Sequence, residues 1–154
     1  MFNIVLLEPE IPANTGNIGR TCVASGLRLH LIEPLGFIIN DKNLKRAGMD
    51  YWKDLEWYLY DDYEDFLAKN PDSIGRTYYA TTKAHKTYAD AEFKPGDYIL
   101  VENEDKCIRI PMREEYRSLN LSNSVAIIAY EAMRQNQFKS LEEYGELHRL
   151  KWDK

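Results

Sequence analysis

Apolar and polar positions along the chain fall into short blocks whose period switches between strand-like and helix-like. Phe2–Glu8 is an apolar run and predicts a buried strand. Asn14–Ser25 predicts a helix: Asn14 or Thr15 is placed to cap it, Ile18, Cys22 and Val23 recur at helical spacing, and Gly26 stops it. Arg28–Ile32 predicts a second strand, Pro34-Leu35-Gly36 a turn, and Asn43–Ala47 a short helix closed by Gly48. Leu55–Tyr60 predicts a third strand, although its aromatic content fits either period. Asp62–Asn70 predicts a helix stopped before Pro71, and Arg76–Thr81 a β-branched, aromatic strand. Pro95-Gly96 predicts a turn, with a strand beginning at Tyr98–Leu100 and another at Cys107–Ile110, closed by Pro111. Leu121–Gln135 predicts the longest helix, with Val125, Ile128, Ala129 and Ala132 on one face. A further short helix is expected between Leu141 and Trp152. Strands alternating with helices predict an α/β fold, a mostly parallel sheet flanked by helices on both faces. Ligands in such folds bind beyond the carboxyl ends of the strands. Three polar stretches lie there: Glu8–Arg20, Thr81–Lys86 and Met112–Asn123.

Length and composition narrow this picture. The 154 residues suit a single domain, 1–154, with a core large enough to need no staples. There is no repeat, linker or low-complexity segment. No apolar run is long enough to span a bilayer, and the N-terminus lacks the basic flank and cleavage site of a signal peptide. The two cysteines, Cys22 and Cys107, and three histidines, His30, His85 and His148, have no metal-ligand spacing, so no metal is expected. The absence of a disulfide framework predicts a cytoplasmic protein, and the absence of a spanning apolar run predicts no membrane contact. A net charge of −5 excludes a generally basic nucleic-acid coat protein. It leaves room for RNA contacts through local basic groups: Arg20, Arg28, Lys42, Lys45 and Arg46; Lys83 and Lys86; Arg109, Arg113 and Arg117.

Three places hold candidate chemistry. In Glu8–Arg20, Asn14 and Thr15 lie at a helix N-terminus, where backbone N–H groups favour anions. Gly16 and Gly19 allow close approach, and Arg20 lies about one and a half turns into the helix. These residues fit a capped strand–helix turn with a surface arginine as well as they fit a site. No Walker loop or G-x-G-x-x-G fingerprint is present. In the second stretch, Ser122 or Asn123 would serve as a helix cap; one cap does not account for Ser118, Asn120, Ser122 and Asn123 together, so a further role is expected for some of them. On the last helix, spacing makes Tyr130 a half-buried core residue, and Glu131 with Arg134 a surface pair.

The runs N-I-V-L-L-E-P-E-I-P-A-N-T-G-N-I-G-R, L-H-L-I-E-P-L-G-F, K-R-A-G-M-D-Y, A-T-T-K, C-I-R-I-P-M and R-S-L-N-L-S-N-S-V-A-I-I-A-Y-E-A-M-R-Q occur in that order. Together they resemble the SPOUT superfamily of RNA methyltransferases, most closely the small wobble-position tRNA 2′-O-methyltransferases of TrmL/YibK type. The resemblance implies a SPOUT fold with a C-terminal trefoil knot, a homodimer, and S-adenosylmethionine as methyl donor. It implies methylation of the ribose 2′-hydroxyl of the wobble cytidine or uridine in the anticodon stem-loop of leucine tRNAs. It places Arg20, Asn14, Tyr130, Ser118 and Asn120 at the catalytic centre, and Ala80, Ile110 and Ser118 around the cofactor. Arginine is a poor base, its pKa exceeding about 12. The expected role of Arg20 is therefore to orient the hydroxyl and stabilise developing negative charge.

One segment departs from the family. A Phe-Gly-x-Glu-x-x-Gly-Leu-Pro loop and about a dozen further residues are expected after the Tyr98 strand, and here Tyr98-Ile99-Leu100-Val101 is followed within six residues by Cys107. Either residues are missing between Leu100 and Val101, or the loop is deleted and the protein is an RNA binder without catalysis. The Leu100–Val101 junction separates the two.

Overall fold

The structure, a computed structural model, describes residues 1–40, 50–101, 107–115, 118–139, 141–142 and 145. Its strands are β1 (Asn3–Leu7), β2 (Arg28–Ile32), β3 (Trp57–Tyr60), β4 (Thr77–Ala80), β5 (Lys86–Thr87), β6 (Tyr98–Val101) and β7 (Cys107–Arg109). Its helices are α1 (Pro12–Ser25), α2 (Tyr63–Lys69) and α3 (Leu121–Gln135), with 3₁₀ turns at Asp50–Asp54, Pro71–Ser73 and Tyr88–Asp90. The seven strands form one sheet in the order β3-β2-β1-β6-β4-β7-β5, and every pairing is parallel. The expected α/β class and parallel sheet are therefore present.

Both faces of the sheet are covered, which is why β1 and β6 are almost continuously apolar rather than alternating. On one face Ile4, Leu6, Leu29, Leu31 and Ile99 pack with Ile18 and Cys22 of α1 and with Val125, Ile128 and Ala132 of α3. On the other, Val5, Ile32, Tyr60, Tyr98 and Leu100 surround Phe66 of α2. That second face holds a polar thread: His30 Nδ1 lies 2.8 Å from the Tyr60 hydroxyl, His30 Nε2 lies 3.2 Å from Asn3 Oδ1, and Asn70 donates to Tyr60 at 3.1 Å.

Three expectations need correcting. Helix α1 starts at Pro12, not Asn14, and its N-cap Ile11 makes no side-chain cap bond. Proline at the first turn opens the helix without needing one, since it has no N–H to satisfy. Asn14 and Thr15 thus lie inside the first turn, and Asn14 is released for other bonds. Helix α3 begins where expected, but its cap is Asn120, not Ser122 or Asn123. Strand β5 was not foreseen; two residues carry no periodic signal. Strand ends otherwise differ by one or two residues, with β3 confined to Trp57–Tyr60 after the Asp50–Asp54 turn. Asp62 caps α2 by accepting from Asp65 N at 2.7 Å. The expected helix over Asn43–Ala47, and most of the one over Leu141–Trp152, lie outside the described residues.

Strands β6 and β7 flank β4 and run parallel to it and to each other. Parallel strands are usually joined by a crossover of about a dozen or more residues. Here Leu100 and Cys107 both stand level with Tyr79, so β7 begins beside the end of β6 rather than back at its start. The end of β6 and the start of β7 are about two strand spacings apart, roughly 10 Å, on either side of β4. Leu100 and Val101 are consecutive rungs of β6, opposite Val5 and Leu6.

Candidate active site

The carboxyl ends of β4, β6 and β7 meet the N-terminus of α3 around a cavity of about 170 Å³. Ala80, Val101, Ile108, Ile110 and Ile128 supply apolar walls, and Thr81, Thr82, Ser118 and Ser124 add hydroxyls. Thr81 N donates to Ile108 O at 3.0 Å, which stitches the exit of β4 to β7 and fixes the cavity floor. All three residues expected around the cofactor, Ala80, Ile110 and Ser118, line this cavity. An apolar slot rimmed by hydroxyls and backbone groups suits an adenosyl group, which combines a flat aromatic base with a polar ribose.

Asn120 joins the cavity to the loop after β1. Its Oδ1 accepts from Ser122 N at 3.0 Å, Ser122 Oγ at 2.6 Å and Asn123 N at 3.4 Å, so one oxygen caps α3. Its Nδ2 donates to Asn14 Oδ1 at 3.0 Å, across 106 residues of sequence. Ser124 Oγ donates to Asn120 O at 3.2 Å. Much of the polar cluster at Asn120–Ser124 is therefore capping chemistry, and Asn120 also hydrogen-bonds α1.

Arg20 lies on a different side of α1 from Asn14, since six residues turn an α-helix through about one and two-thirds turns. Its guanidinium stands over the Tyr51 ring, 4.9 Å from the centroid. The Tyr51 hydroxyl donates to Gly16 O. Burial raises the pKa of that hydroxyl, and the hydrogen bond and charge of nearby Arg20 oppose the rise. The glycines serve this packing. A Cβ on Gly19 would stand 3.0 Å from the Trp52 ring, and one on Gly36 would stand 2.7 Å from the Glu10 backbone. Gly36 N also donates to Pro9 O at 3.0 Å, so the loops after β1 and β2 are clamped together.

The structure thus brings together Asn14, Asn120, Ser118, Ala80 and Ile110, while Arg20 sits one helical face away. Tyr130 is not the half-buried core residue its spacing suggests: it is 45% exposed, as is Ile127 at 37%, on the outer face of α3. Glu131 and Arg134 form the expected surface pair, at 2.7 Å. Among the basic residues, Arg28 is engaged by Glu56 at 2.6 Å, whereas Lys83, Lys86 and Arg113 are exposed near the carboxyl-end side. Lys42, Lys45, Arg46 and Arg117 lie outside the described residues. Burial pushes the Cys22 thiol up to about 12, which removes it as a nucleophile. Tyr51 was missed as a site residue; it lay within the K-R-A-G-M-D-Y run, but nothing in the spacing linked it to Arg20.

A parallel sheet with helices on both faces and a cavity at the carboxyl ends of its strands defines an α/β fold with its cavity where that class binds ligands. Residues 1–130 match the SpoU rRNA methylase family, and the chain belongs to that family. A Burkholderia pseudomallei protein named tRNA (cytidine(34)-2′-O)-methyltransferase is 41% identical, covering 90% of this chain and 98% of its own. A solved structure from Bacillus anthracis superposes with a TM-score of 0.85 at 45% identity, covering 92% of this chain and 98% of its own. A second, described as giving insight into 2′-OH methylation of C/U34 on tRNA, gives 0.81 at 40% identity over 89% and 97%. The Burkholderia alignment runs over 153 positions yet takes in 90% of these 154 residues, about 139, so about 14 positions of that relative have no counterpart here. A gap of that order is what the short β6–β7 connection leads one to expect.

Proposed function

We propose that this chain is an S-adenosylmethionine-dependent RNA methyltransferase acting on the ribose 2′-hydroxyl of the wobble cytidine or uridine of tRNA, with leucine tRNAs as the expected substrates. The reading includes a cytoplasmic homodimer with a C-terminal trefoil knot. The observation that carries it is the cavity at the ends of β4, β6 and β7, lined by the three residues that the family resemblance assigns to the cofactor. When bound, S-adenosylmethionine would supply an electrophilic methyl on sulfur. Backbone groups at Ala80 and Ile110, with the Ser118 hydroxyl, would hold it.

The chain's own residues must then align one ribose oxygen and exclude water. Asn14, tied to Asn120, is placed to fix the loop beside the cavity mouth. Arg20 orients the hydroxyl and stabilises the charge that develops on its oxygen. Exposed apolar Ile127 and Tyr130 on α3 support a second copy covering that face. Tyr130 is exposed on α3, so its assigned role depends on that assembly.

The short β6–β7 connection favours a second reading, an RNA-binding homologue that does not hold the cofactor. Titration calorimetry with S-adenosylmethionine separates the two. Saturable one-to-one binding supports the enzyme; no heat at millimolar cofactor, with tRNA still bound, supports the binder.

A further inference from the structure

We infer that Tyr51 is a positioning residue for Arg20, holding the guanidinium over its ring face while leaving the positive charge unspent. The inference rests on the role proposed for Arg20. Its geometry stands apart from that role. The guanidinium carbon lies 4.9 Å from the Tyr51 centroid. The ring is itself fixed, because its hydroxyl donates to Gly16 O. Gly16 is one helical turn before Arg20, so the same carbonyl takes the Arg20 backbone N–H in the α1 ladder. Tyr51 thus grips the helix at the root of the arginine and the side chain at its tip.

The choice of a ring has a chemical reason. A carboxylate partner would hold Arg20 as firmly, but it would neutralise the charge needed at a developing oxyanion and occupy the N–H edge. Among the described residues no carboxylate forms an ion pair with Arg20. A π face attracts the guanidinium without neutralising its charge. Tyr51 is brought to this place by the Asp50–Asp54 turn, whose Trp52 packs on Gly19 next to Arg20.

The test combines kinetics with NMR on the full chain. Tyr51→Leu should lower kcat about two- to fivefold, the size expected for loss of one exposed ring–guanidinium contact, at unchanged KM for tRNA. Tyr51→Phe keeps the ring and should recover most of that loss. In an Arg20→Ala background, Tyr51→Leu should cost nothing further. Independently of turnover, the Arg20 Nε–Hε resonance should carry a ring-current shift that Tyr51→Phe preserves and Tyr51→Leu abolishes. If Arg20→Ala is inactive while Tyr51→Leu matches the wild type, the positioning role is overturned and the role of Arg20 survives. If Arg20→Ala is fully active, the role of Arg20 falls, and the positioning role with it. An Arg20 resonance indifferent to Tyr51→Leu overturns the contact itself.

Discussion

The side-chain amide of Asn120 does two jobs at once: its oxygen caps α3, and its nitrogen donates to Asn14 Oδ1 at 3.0 Å. The N-terminus of the last helix and the first turn of the first are therefore set by one residue. Asn120→Ala should destabilise the fold by about 1 kcal/mol through the lost cap and also depress methyl transfer. Asn120→Ser should restore the cap but is too short to reach Asn14. Thermal melts and transfer rates on the two variants separate the jobs: melting should recover in the serine variant and turnover should not.

Arg20 is the residue proposed to carry the charge at the site. Arg20→Ala should lower kcat by about a hundredfold or more, the usual effect of removing one oxyanion-stabilising donor, with little change in melting temperature because the side chain is exposed. Arg20→Lys should recover only part of the loss, since an ammonium cannot lie flat on the Tyr51 ring. Single-turnover rates with saturating cofactor measure both.

His30 makes the fold acid-sensitive. Burial, with the Arg28 charge adding, lowers its pKa from 6.5 to about 4. The unfolded chain takes up the proton first, so stability is full above pH 6.5 and falls as pH drops toward about 4. The loss from this group alone approaches about 3 kcal/mol. Urea midpoints measured across that range should fall. In His30→Gln, which cannot titrate, the curve should be flatter although lower at neutral pH.

Gly36 holds two loops together. An added methyl would stand 2.7 Å from the Glu10 backbone, which has no flexible end to move aside. Gly36→Ala should therefore cost about 1–3 kcal/mol and shift the loop leading into Asn14. Denaturant unfolding combined with the transfer assay checks this. Gly26→Ala is the control: it meets nothing nearby but sits at φ +64°, so it should cost about 1 kcal/mol without touching turnover.

The sheet, its helices and its parallel order were legible because long apolar runs and 3.6-residue periods mark buried strands and amphipathic helices directly. What failed had physical causes. A proline-opened helix needs no capping side chain, so Asn14 looked like a cap when it is a bridge. The outward face of Tyr130 was invisible to a spacing argument that placed it at the edge of the core. Tyr51 and Arg20 meet through tertiary packing across 31 residues of sequence, which no local period encodes. The cavity residues Ala80 and Ile110 are apolar strand ends and were found by resemblance, since backbone contacts leave no mark on side-chain chemistry.

The most direct test is methyl transfer itself. The purified chain should be incubated with deuterated-methyl S-adenosylmethionine and unmodified leucine tRNA, and the digested nucleosides analysed by mass spectrometry. A labelled 2′-O-methyl group at the wobble cytidine or uridine, lost in Arg20→Ala, is the expected result. Unlabelled RNA from a chain that binds tRNA normally would contradict the enzyme and point to the β6–β7 connection as the reason.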